Sequence, residues 1–124
     1  MFGNIQKAII AEPNPDWEEK TKGKTEFLLR VMAQRLGKAQ APDPIVPKGK
    51  LTQDQVKEEF EGQRWQLGKF IMGTDVALKE HTFEHPFPVF NTLNAYQWLI
   101  YIPLHTMRHD KQIAEVKATP GYPK

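Results

Sequence analysis

Apolar residues recur at helical spacing along most of the chain. Nowhere do they alternate with polar ones over a run long enough to propose a strand. Phe2, Ile5 and Ile9 set the first helical period, and "EPNPD" stops it because Pro13 and Pro15 cannot donate to a helical ladder. A second helix is predicted over Thr25 to Leu36, with Phe27, Leu28 and Val31 inward. "GKAQAPDPIVPKGK", with Pro42, Pro44 and Pro47, then reads as an extended connection, long enough for the next helix to pack across a bundle. That next helix begins at "LTQDQ", where Thr52 and Gln55 have the spacing of a capping box. Val56, Phe60, Leu67, Phe70, Ile71 and Leu78 form its apolar stripe, which Gln63 and Thr74 share. Those two are either polar residues near an end of the core or the lining of a polar pocket. "KEHTFEHPFPVFNTLNAYQ" leads into a last helix from roughly Thr92 to Val116, which "ATPGYPK" terminates. With no Asn-Gly or Asp-Gly hairpin turn present, the pattern predicts an all-α bundle, 1–124 forming one domain.

Composition narrows the chemistry. There is no cysteine among the 124 residues, which removes disulfides, thiolate metal sites and a cysteine nucleophile. A reducing cytoplasm is the natural compartment for such a chain. The net charge of +2 comes from Lys and Arg spread along the sequence, without the basic stripe of a nucleic-acid surface. "WLIYIPL", the longest apolar stretch, is far too short to span a bilayer. Neither nucleic acid nor membrane is expected as a partner.

The last helix carries the strongest chemical signal. At 100° per residue, Trp98, Tyr101, Ile102, His105, His109, Gln112 and Val116 share one face. Both imidazoles are thus expected to point into the bundle. Four-residue spacing lets them reach one ion, and zinc or nickel suits neutral imidazole ligands. The bland alternative is a pair of core histidines bonded to Gln63, Thr74 or backbone. No H-E-x-x-H motif is present, so the general base of a zinc protease is missing. Tyr96, Leu99, Ile100 and Met107 are apolar on the opposite face, so this helix is expected to be covered on both sides, by the bundle or by another chain. Pro103 interrupts its hydrogen-bond ladder just before His105.

From about Lys48 to Pro123 the chain resembles the DinB-like superfamily, which includes metal-dependent hydrolases and thiol transferases. The resemblance rests on "HPFPVFNTLNAYQWLIYIPLHTMRHDKQIAEVK", and within it on His105, Arg108, His109, Gln112 and Ile113 as "H-x-x-R-H-x-x-Q-I". It implies a four-helix bundle of up-down-down-up type whose core holds a divalent metal through three histidines, two of them His105 and His109. The family's third histidine lies on a helix preceding the counterpart of "NIQKAII". By this resemblance the bundle lacks its first helix and the start of its second, and a homodimer could cover the gap. His81, His85 and Asp75 are weaker substitutes for the missing ligand. Arg108, Gln112 and Gln63 are candidate orienting or supporting residues; no catalytic residue is assigned.

Two functional classes follow. One is a metal-dependent hydrolase or thiol transferase acting on a small molecule, with zinc or nickel at His105 and His109. The other is a non-catalytic helical dimer, a shortened family relic with a structural or interaction role.

Overall fold

The computed structural model describes residues 2–34, 40, 43, 46 and 48–123. They fall into two compact units: Met1–Leu36 together with Ala77–Lys124, and Gly37–Val76.

In the first unit, α1 (Phe2–Ile10) ends where Pro13 and Pro15 were expected to end it. A five-residue helix that the apolar pattern does not reveal, α2 (Trp17–Thr21), follows it. Gly23, at φ 70°, turns the chain into α3 (Lys24–Gln34), which buries Leu28, Val31 and Met32. The predicted end of that helix at Leu36 lies outside the described residues.

The all-α expectation is overturned here. β1 (Thr82–Glu84) pairs antiparallel with β2 (Thr92–Asn94), Thr82 facing Asn94 and Glu84 facing Thr92, so the architecture is mixed α/β. Strands of three residues cannot display the alternation that marks a strand in sequence. The connecting loop, residues 85–91, also avoids the usual hairpin dipeptides and closes by other means. The His85 N–H donates to the Asn91 carbonyl at 2.8 Å, and Phe90 N–H to Phe87 at 3.0 Å. Asn91 takes φ 51°, a left-handed conformation that Asn tolerates better than most residues. Lys24 ties the ribbon to α3 by donating from Nζ to the carbonyls of Phe90 (2.9 Å) and Thr92 (2.7 Å).

The last helix, α5, runs Ala95–Lys117 and begins after Thr92 because residues 92–94 belong to the ribbon. It packs against α3 and α1, with α1 also on β1 and α2 on β2. Ile5, Leu28, Leu93 and Trp98 are the largest fully buried side chains of this core. A buried polar network sets where α5 starts. The Asn94 side chain accepts from Gln97 N–H at 2.8 Å, and Gln97 Oε1 accepts from Asn94 N–H at 3.2 Å, a reciprocal capping box. Asn94 Nδ2 also donates to Thr21 Oγ1, and Gln97 Nε2 to the Thr21 carbonyl, so the same box satisfies the end of α2.

In the second unit, α4 (Gln53–Gly73) starts on the expected capping box of Thr52 and Gln55. Its apolar stripe was expected to face inward, yet none of its residues is buried. Val56, Phe60 and Ile71 are exposed, and Leu67 and Phe70 half-buried. Among the described residues of this unit, α4 has no second α-helix or strand to pack against. Leu78 lies beyond the helix end, and Thr74 serves as its C-cap, donating its N–H to the Phe70 carbonyl at 2.9 Å.

Asn94→Ala removes the cap and strands buried donors, and is expected to cost about 2 kcal/mol. The solvent-exposed cap change Thr52→Ala is expected to cost no more than about 1 kcal/mol. Urea denaturation followed by circular dichroism ranks the two; a larger loss at Thr52 would contradict this picture of the core.

Candidate metal centre

The capping box fixes the rotational phase of α5, and the side chains follow at helical intervals. Trp98, Tyr101 and Ile102 are buried on its first turns. At about 1.5 Å per residue the helix is ~34 Å long and outruns the elements that cover its start. Further along, His105 and Gln112 are half-buried and His109 is exposed. The expectation that both imidazoles point into a core is thus corrected: the pair straddles the margin of the core, His105 on the inner side and His109 in solvent. The opposite face is likewise open, with Tyr96 and Met107 exposed and Leu99 and Ile100 half-buried.

The two histidines are in direct contact. Their Nε2 atoms are 2.9 Å apart, and His109 Nδ1 lies 2.7 Å from Gln112 Oε1. These contacts fix the tautomers of the uncharged pair. The Gln112 carbonyl oxygen can only accept, so His109 Nδ1 carries the proton and its Nε2 is a bare lone pair. His105 Nε2–H must then donate to that lone pair. This leaves His105 Nδ1 unprotonated, and it is buried without a hydrogen-bond partner. Tyr101 stacks on the His105 ring, centroids 5.3 Å apart and planes 20° from parallel. Burial, then the neighbouring His109 and Arg108, lower the His105 pKa and keep its imidazole neutral at neutral pH. Burial raises the Tyr101 pKa, holding the phenol protonated.

This arrangement fits two ligands of one divalent ion. Two imidazole nitrogens on a tetrahedral zinc lie roughly 3.3 Å apart. A slight opening of the 2.9 Å contact therefore admits the ion where the shared proton now lies. Gln112 already holds His109 in the ligating tautomer, as metal-bound histidines commonly require. His105 would shift its remaining proton to Nδ1, where the buried atom has no acceptor. Among the described residues, no group of three or more His, Asp or Glu side chains could complete the site.

The other expected site residues are placed elsewhere. Arg108 is half-buried on the turn between the two histidines, and its charge acts on both His105 and Tyr101. Gln63 is an exposed residue of α4, in the other unit. Asp75 is exposed beyond the end of α4. The loop histidines have local duties. His81 Nδ1–H donates to the Ala11 carbonyl at 3.0 Å, and His85 Nδ1 accepts from Phe87 N–H at 3.0 Å. His85 also stacks on Trp98, centroids 4.8 Å apart and planes 16° from parallel, and lies 5.0 Å from the Tyr101 ring.

Beside His109 runs an open groove of about 490 Å³, lined by Gln112, Ile113, Val116, Lys117 and Tyr122. Sequence reasoning missed it, although the signal was present in "TPGY". The turn from Thr119 to Tyr122, with Pro120 second and Gly121 at φ 85° third, folds Tyr122 back toward the helix end.

The chain is 36% identical over 116 residues to the uncharacterized protein YuaE of Bacillus subtilis (strain 168). The alignment takes in 91% of this chain and 65% of that relative, so the chain spans less than two thirds of its length. No family model matches the chain, and no solved structure does. Among the described residues, no helix is long and apolar enough to cross a membrane.

Burial depresses the pKa of His85 from 6.5 to about 4, and the neighbouring His105 adds to the shift. The unfolded chain therefore takes up a proton at a higher pH than the folded one. The stability this gives is complete above about pH 6.5 and is lost as pH falls toward 4. Urea midpoints are expected to drop between pH 7 and pH 5, and to drop less in His85→Gln. An equal drop in both would show that His85 is not the group responsible.

Proposed function

We propose that this chain is a DinB-like protein that binds a divalent metal, zinc or nickel, through the Nε2 atoms of His105 and His109. The observation that carries this reading is the 2.9 Å approach of those two nitrogens, with Gln112 holding the outer imidazole in its ligating tautomer. Bound there with an open coordination position, the metal would acidify a water or a thiol, the chemistry of a hydrolase or thiol transferase. The chain's own residues would bind and orient. Tyr101 supports the flat of the His105 ring, Gln112 fixes the His109 proton on Nδ1, and Arg108 supplies positive charge for an anionic group on a small-molecule substrate. The lack of cysteine supports a cytoplasmic location.

A second reading is a non-catalytic helical dimer. It is favoured by the apolar side chains Ile113, Val116 and Tyr122, all about half exposed at the end of α5.

Calorimetric zinc titration tests the metal reading. Wild type is expected to bind, and the double variant His105→Ala with His109→Ala to lose that binding. Gln112→Leu is expected to weaken it by about 10–100-fold, the usual cost of removing a residue that orients a ligand. Unchanged affinity in the double variant would overturn the assignment.

A further inference from the structure

A metal-bound histidine is ordinarily held by a hydrogen bond on its second ring nitrogen. His105 has no such bond: its Nε2 meets His109, and its buried Nδ1 is without a hydrogen-bond partner. A series of ring contacts holds it in place of that bond, and the series leads back to the two-stranded ribbon. We propose that His85, at the start of the loop 85–91, is a positioning residue for the metal pair, acting through Tyr101 on the ring plane of His105. The proposal rests on the metal reading above and deepens it by naming what orients the inner ligand.

Tyr101 is the wall that the two histidines share. Its ring stacks on His105, centroids 5.3 Å apart and planes 20° from parallel. Three other rings fix Tyr101 in turn, with centroids at 5.0 Å for His85, 5.6 Å for Phe90 and 5.7 Å for Trp98. His85 ties this group together, because it also lies flat on Trp98 at 4.8 Å and touches Phe90 at 4.6 Å. The inner ligand is therefore oriented by packing that His85 closes.

The hydrogen bonds of His85 suit it to this role. Its N–H donates to the Asn91 carbonyl at 2.8 Å, and its Nδ1 accepts from Phe87 N–H at 3.0 Å, so backbone and ring are both fixed to the loop. With Nδ1 accepting, the neutral ring carries its proton on Nε2 and has no lone pair left for a metal. Burial keeps the ring neutral at neutral pH, so it places no positive charge near a bound cation. His85 is thus an anchor and not a third ligand.

Calorimetric zinc titration of the full chain at neutral pH, with urea denaturation beside it, tests this. His85→Asn keeps an acceptor for Phe87 N–H but loses the ring, and is expected to weaken zinc binding about two- to tenfold, the worth of an aromatic pair. His85→Phe keeps a ring but loses the acceptor, and is expected to lose stability while binding zinc as tightly as wild type. In a Tyr101→Leu background, His85→Asn is expected to cost no further affinity, because its effect passes through that ring. Wild type gives a test that needs no variant to fold. Reciprocity requires zinc to stabilise whatever positions its ligand. Saturating zinc is therefore expected to slow amide exchange at Phe87 by a larger factor than at Ala8 of α1. Unchanged affinity in His85→Asn, an equal loss in His85→Phe, additivity with Tyr101→Leu, or no selective slowing at Phe87 would overturn the proposal and leave the metal reading intact. No zinc uptake by wild type would overturn both.

Discussion

The buried exchange between Asn94 and Gln97 sets the geometry of everything downstream in α5. A helix offers no freedom of rotation once its first turn is fixed, because each residue follows its predecessor by 100°. By capping the helix and bonding to the end of α2 at the same time, these two side chains fix its start against α2. Trp98 and Tyr101 consequently face the core, and His105 and His109, on the same face one and two turns further on, continue their line.

That line passes from a dry environment to a wet one. Trp98 is almost fully buried and carries His85 flat against it, Tyr101 follows, and His105 stacks on Tyr101. Beyond it His109 meets solvent. The gradient has a chemical consequence. Burial keeps the inner imidazoles neutral, and a neutral imidazole is the form that ligates a metal. The outer imidazole owes its readiness to Gln112, which holds the proton on the nitrogen facing away from the pair.

Much of this was legible from residue spacing, and the parts that were not have identifiable causes. Pro13 and Pro15 announce the end of α1, and Thr52 with Gln55 announces the start of α4, because both act through local backbone chemistry. The four-residue spacing of His105 and His109 correctly brings them together. Burial was misjudged because a helical wheel reports which residues share a face and is silent on how far along the helix that face stays covered. The two-stranded ribbon was invisible for a different reason. Its strands are too short to show a period, and contacts distant in sequence hold it, notably Lys24 on the carbonyls of Phe90 and Thr92. Gln63 was grouped with the site by its place on an apolar stripe, yet it is an exposed residue of the other unit.

His105 and His109 bring their Nε2 atoms into contact, with the tautomer of His109 set by Gln112 and the proton between them carried by His105. Heteronuclear NMR of the imidazole nitrogens in metal-free protein at neutral pH tests this most directly. The account predicts that His109 carries its proton on Nδ1 and His105 on Nε2, and that zinc moves the His105 proton to Nδ1 while leaving His109 unchanged. A metal-free His109 protonated on Nε2, or zinc leaving both imidazole spectra untouched, would contradict it.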